Sequence, residues 1–216
     1  PEVALQETEN EVALDASLEG LNLVQSITGK RPSKLLIESE MVAFGMTTKM
    51  KTYYENNNSR TEIDVTDMEK SVLINLGDEG VMYQYVYGEE NGIKMTDVTE
   101  DYAEEMSLRM DVSMLADMTE ASSEDVTARV ETLDGEEVIY IEATESDEDM
   151  GEVLVKMWYS EKYATPLKYE VIVGETTMAS MHVTKVTTSV NFDQSMFVPP
   201  SDVAFQEVAM DSLLDD

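Results

Sequence analysis

The sequence predicts an α+β domain: a strongly curved antiparallel sheet of about ten strands, an unclosed β-barrel, wrapped around two helices. Three observations predict it. Short runs rich in β-branched and aromatic residues alternate from Lys34 to Tyr87 and again from Val126 to Val190. Gly, Asn and Asp punctuate those runs at hairpin spacing. Two segments, 11–27 and 97–118, switch to the period of a helix.

Residues 1–10 are polar and acidic and read as a flexible tail. In 11–27, Leu14, Leu18, Leu21, Val24 and Ile27 fall near helical spacing, although Gly20 weakens the helix. Gly29 and Pro32 end it. Strands are then expected at 35–44, 46–54, 60–65, 70–76 and 81–87, with turns at Gly45, Asn56–Ser59 and Gly77–Gly80. Tyr83, Tyr85 and Tyr87 alternate and so share one face, with Met82, Gln84 and Val86 on the other.

The segment 97–118 carries Tyr102, Met106, Met110, Met114 and Met118 at every fourth residue, one stripe on a helix. Asp134-Gly135 joins two alternating runs, 126–133 and 138–144, as a hairpin. Three more strands follow, 153–159, 167–173 and 178–190. Residues 11–208 are expected to form one domain, and 209–216 a weakly ordered tail.

The last stretch carries a resemblance. A Trp158-Tyr159 strand is followed by Thr165-Pro166-Leu167 and the return strand Lys168-Tyr169-Glu170-Val171. Asn191-Phe192 and Phe197-Val198-Pro199-Pro200-Ser201-Asp202 complete it. This order resembles the end of the LolA-type lipoprotein-carrier superfamily, which includes periplasmic carriers and envelope lipoproteins. The resemblance implies a sheet curved around helices with an apolar cavity for acyl chains. It also implies an extracytoplasmic place in the cell envelope, with an upstream export signal and a lipidated cysteine. Arg60 follows the Asn turn; in the resembling carriers an arginine at such a strand start holds the mid-chain helix. Read from the residues alone, Arg60 is an exposed or ion-paired strand arginine.

Composition narrows the function. With 46 acids against 14 bases the formal net charge is −32, which repels nucleic-acid phosphates and anionic lipid surfaces. No cysteine is present, so disulfides and thiol chemistry are excluded. His182 is the one histidine, which leaves no His/Cys zinc site to build, and no Gly-x-Ser-x-Gly elbow accompanies it. The acidic run 145–149 lacks the spacing of a calcium loop. No cofactor, metal or catalytic residue is therefore assigned.

The expected function is non-catalytic: a monomeric envelope protein that binds an apolar small molecule, or the acyl chain of a lipid or lipoprotein. A membrane enters only through the N-terminal lipid anchor that the resemblance implies. The expected lining is Met106, Met110 and Met114 from the helix, with Tyr83, Tyr85 and Trp158 from the sheet. A one-residue slip would swap the sheet residues to the other face. The alternative is a structural or sensory envelope module whose interior is filled by its own helices.

Overall fold

The computed structural model describes residues 14–27, 31–98, 126–147, 151–188 and 190–209. They form a short helix, α1 (Gly20–Gln25), and twelve strands. The first six strands are β1 (Lys34–Ala43), β2 (Met46–Glu55), β3 (Asn58–Val65), β4 (Ser71–Leu76), β5 (Val81–Val86) and β6 (Asn91–Thr96). Then come β7 (Val126–Leu133), β8 (Glu136–Asp147), β9 (Gly151–Ser160), β10 (Thr165–Val173), β11 (Thr176–Thr188) and β12 (Ala204–Ala209). Two 3-10 turns, Gly77–Glu79 and Gln194–Phe197, complete the set.

All twelve strands join one open, curved sheet in the order β12-β6-β5-β4-β3-β2-β1-β11-β10-β9-β8-β7. Every neighbouring pair is antiparallel except β12 with β6. Two meanders, β1 to β6 and β7 to β11, are thus joined along β1 and β11. Register shifts at Glu38/Ser39 on β1–β11, Val171/Ile172 on β10–β11 and Pro166/Lys168 on β9–β10 interrupt the ladder. Such bulges add twist and bend.

Several expectations are corrected. The first helix is six residues long and begins at Gly20. Asp15 explains this, because its carboxylate accepts from both the Ser17 amide and hydroxyl and holds a turn that competes with helix. Gly20 itself has a φ of +56°, so the helix cannot run through it. Among the described residues there is one α-helix rather than two; the second expected helix falls almost wholly in 99–125, outside them. The sheet has twelve strands rather than about ten. β6 was hidden because Asn91-Gly92 reads as a turn, and β12 because it follows Pro199-Pro200.

The pairing registers sort side chains into two faces. Met157, Tyr169, Met181, Met41 and Thr48 form one rank across five strands. This is the face on which α1 packs: Leu23, Val24 and Ile27 bury themselves against Val126, Ala128, Ile139, Ile141, Met157 and Tyr159. Further along the same face, Ile63, Leu73, Met82 and Met95 cluster with Val98. The opposite face carries Val72, Ile74, Tyr83, Tyr85, Val203 and Phe205.

Gly92 shows why β12 fits there. Its rank on the opposite face is Glu62, Val72, Tyr85, Gly92 and Phe205. The Phe205 ring lies over the missing side chain: a Cβ on Gly92 would stand 2.7 Å from Phe205 Cε1 and 2.8 Å from the Gln84 carbonyl oxygen. Gly92→Ala is expected to lower stability by about 1–3 kcal/mol, the usual range for overpacking. A urea midpoint equal to wild type would show that the Phe205 ring does not occupy that space.

Candidate functional site

The chain leaves β11 beside β1 and re-enters the sheet as β12 at the far edge. Residues 190–203 therefore cross the opposite face as a strap. Asp193 caps the 3-10 turn by accepting from the Ser195 amide at 2.9 Å. Phe197 is buried, as its place before Pro199-Pro200 predicts. Its ring meets Phe192 edge-on at 6.1 Å, and Phe192 meets Tyr53 of β2 edge-on at 5.7 Å. Gln194 donates to Glu55 at 3.0 Å, and Lys34 pairs with the same carboxylate at 2.8 Å. The Lys34 ammonium, with Gln194 adding to it, holds the Glu55 carboxyl below the ordinary glutamate range.

Arg60 fastens the strap. It is only 9% exposed. Its Nε donates to Glu62 Oε1 at 3.2 Å, Nη2 to the Tyr87 hydroxyl at 2.9 Å, and Nη1 to the Met196 carbonyl at 3.3 Å. The ion-paired reading holds and the arginine is buried; among the described residues it grips the strap, while the mid-chain helix of the resemblance lies outside them.

Tyr83 and Tyr85 lie under this C-terminal segment. Phe205 meets Tyr83 edge-on at 5.0 Å and Tyr85 at 6.2 Å. Trp158 lies on the same face, but six strands separate β9 from β5. The structure does not bring Trp158 together with the two tyrosines. Trp158 belongs instead to an aromatic and cationic row. Arg129 stands 4.2 Å from the Tyr140 ring centre, Tyr140 and Trp158 are 5.0 Å apart, and Lys168 stands 4.3 Å over Trp158. Glu131 accepts from the indole at 3.3 Å and Glu142 from the Tyr140 hydroxyl at 2.6 Å. Burial first, then the bond to Glu142, pushes the Tyr140 phenol above the ordinary tyrosine range. Met106, Met110 and Met114 lie outside the described residues.

Between these two aromatic regions the opposite face is charged. Its ranks alternate in sign: Lys185, Glu38, Lys51, Glu62, and beside them Glu40, Lys49, Asp64. An open depression of about 360 Å³ lies among them, lined by Glu38, Glu40, Lys49, Lys51, Glu62, Asp64 and Lys70. A charged lining does not suit an acyl chain. No group of three metal-ligating side chains occurs among the described residues.

The α1 face of β1 to β6 is different. One rank there reads Leu35, Tyr54, Ser59, Asn75, Met82, Met95, and all six are buried. The next reads Ile37, Thr52, Thr61, Leu73, with the two threonine hydroxyls bonded to each other at 3.2 Å. The side-chain oxygen of Asn75 is buried and has no donor among the described residues. A buried acceptor left open costs free energy, commonly about 1–3 kcal/mol. The sequence carried a signal for this position, a lone amide inside the apolar run Val72-Leu73-Ile74-Asn75-Leu76.

No family model and no curated protein matches the sequence. Solved structures do. An uncharacterized conserved protein from Thermus thermophilus aligns over 87% of this chain and 96% of its own, with 10% identity and a TM-score of 0.54. A chain of the Pseudomonas aeruginosa MucA/MucB complex aligns over 81% of this chain and 58% of its own, at 12% identity and a TM-score of 0.48. A LolA superfamily protein from Nitrosomonas europaea aligns over 84% and 98%, at 12% identity and a TM-score of 0.33. The first likeness is one of fold alone. The nature of any ligand rests on this chain's own residues.

Proposed function

We propose that this is a non-catalytic envelope protein that binds an amphiphilic molecule with an acyl chain on the α1 face of β1 to β6. The observation that carries the reading is the buried rank Leu35, Tyr54, Ser59, Asn75, Met82, Met95. There apolar and methionine side chains, which a ligand would reach by displacing neighbours such as Tyr163, Leu167 and Val98, lie beside one acceptor, Asn75 Oδ1, with no donor among the described residues. Methionine adapts to irregular apolar contacts. An open acceptor suits a hydroxyl or amide donor at the head of such a ligand. The opposite face is less suited, being closed by Phe192, Phe197 and Phe205 at one part and charged at another. The resemblance of the C-terminal motifs to lipoprotein carriers supports an acyl chain and an extracytoplasmic location.

The alternative is a module without a ligand, and the strap favours it by showing that this chain fills one face with its own aromatic rings. A native mass spectrum of freshly purified protein separates the two. The carrier reading expects a co-purified lipid and saturable binding of a fluorescent fatty acid; neither occurs in a self-filled module.

The methionine stripe supplies a second test. Met110→Glu places a charge in the middle of the expected helical face. If that helix is a movable lid over the ligand, it can swing out and hydrate the charge. The denaturation midpoint then changes little while fatty-acid affinity falls. A stability loss of several kcal/mol, as for an unpaired charge buried in a core, with no binding by the wild type, would leave only the module.

A further inference from the structure

The hairpin between β1 and β2 turns on Phe44-Gly45, with φ values of +51° and +77°. Asp134-Gly135 makes the equivalent turn between β7 and β8, with φ values of +52° and +90°. A two-residue hairpin loop of this kind strongly favours Asn or Asp before Gly, because a bulky side chain is strained at positive φ. Among the described residues, six non-glycines have positive φ, and four of them are Asn or Asp. Phe44 is the one aromatic. Its side chain does not compensate for that strain by burial, since it is 80% exposed. Folding therefore gives no reason for phenylalanine at this tip.

The tip is not isolated. Met46 and Met68 are 49% and 63% exposed. Thr66 of the β3–β4 loop donates both its amide and its hydroxyl to the Thr47 carbonyl, each at 3.1 Å, which holds Met68's loop beside the β1–β2 hairpin. Strand directions bring the β5–β6 loop and the β10–β11 turn to the same end of the sheet. Tyr87 donates its amide to the Lys70 carbonyl at 2.9 Å, and Phe44 donates its amide to the Met178 carbonyl at 3.4 Å. These neighbouring loops contribute Asp67, Glu69, Glu89, Glu90 and Glu175, all exposed.

We propose that this end of the sheet is a protein-docking site, in which Phe44 and Met68 enter an apolar pocket ringed by Lys and Arg on the partner. Charge selects that occupant. A second copy would bring the same acids and a net charge of −32 against itself, and an anionic lipid surface is repelled in the same way. A basic rim around an apolar pocket satisfies both parts of the surface at once.

The test places a photo-crosslinking benzoylphenylalanine at position 44 of the full chain in the producing cell. The expected adduct is with another protein, through a peptide that carries Lys or Arg beside apolar residues. With that purified pair, Phe44→Asn should weaken binding by about fivefold or more, a change of about 1 kcal/mol in affinity. Raising salt from about 0.01 M to about 0.1 M, which shortens the screening length from about 30 Å to about 10 Å, should also weaken it. The Phe44→Asn protein should melt no lower than wild type, because Asn relieves the turn. An adduct with lipid, an adduct with a second copy, or no adduct overturns the proposal. So does an affinity changed by less than that factor or insensitive to salt.

Discussion

Phe197→Ala is expected to destabilise the domain by about 3–5 kcal/mol, the usual cost of truncating a buried phenylalanine. The ring is 6% exposed and ends a chain of edge-on contacts through Phe192 to Tyr53 of β2. Little backbone freedom is available to close the cavity. Asp193 caps the turn on one side, and Pro199-Pro200 fix the chain on the other. Phe197→Leu, nearer in volume, should retain most of the stability. Urea midpoints of the two variants check this. A loss below about 0.5 kcal/mol for the alanine variant, within the range of ordinary surface changes, would show that the strap lies outside the cooperative core.

Arg60→Ala is expected to cost about 3 kcal/mol, near the lower end for breaking a buried ion pair. The lower end applies because the Glu62 side chain is 19% exposed and can regain some water. The substitution removes three anchors together: Glu62, the Tyr87 hydroxyl and the Met196 carbonyl. Its effect should not add to that of Phe197→Ala, since both residues hold the same strap and share a structural unit. A double-mutant cycle measures this. Additive losses would mean that Arg60 stabilises β3 and the Tyr87 loop without holding the strap. Arg60→Lys should not restore stability, because a lysine cannot reproduce the divided geometry of the guanidinium.

Local chemistry made much of this fold legible. Alternation of side chains marked β1 to β5 and β7 to β11 because one period of two is imposed on any strand with distinct faces. Asp134-Gly135 marked its hairpin because few residues accept positive φ. Phe197 before Pro199-Pro200 marked a buried end. By contrast, α1 was overextended because helical spacing at 11–27 does not register that the Asp15 side chain makes a competing turn. The same local reasoning placed Tyr83 and Tyr85 on one face, and it correctly separated them from Met82.

What that face meets was decided elsewhere. Leu35 pairs with Thr188 and Glu40 with His182, and these pairings between distant segments set Trp158 on the same face as Tyr83 yet with six strands between them. They also route 190–203 over Arg60, so that a strand arginine becomes a buried anchor. β12 exists because six residues with weak strand character find the open edge of β6 and a space left by Gly92. The open acceptor of Asn75 arises in the same way, since its burial depends on neighbouring strands. Sequence by itself determined which residues alternate, turn and cap, because those properties act within a few bonds. Tertiary structure alone decided which face the strap crosses and where charge gathers, because strand register couples residues far apart in the chain through backbone hydrogen bonds that carry no local signature.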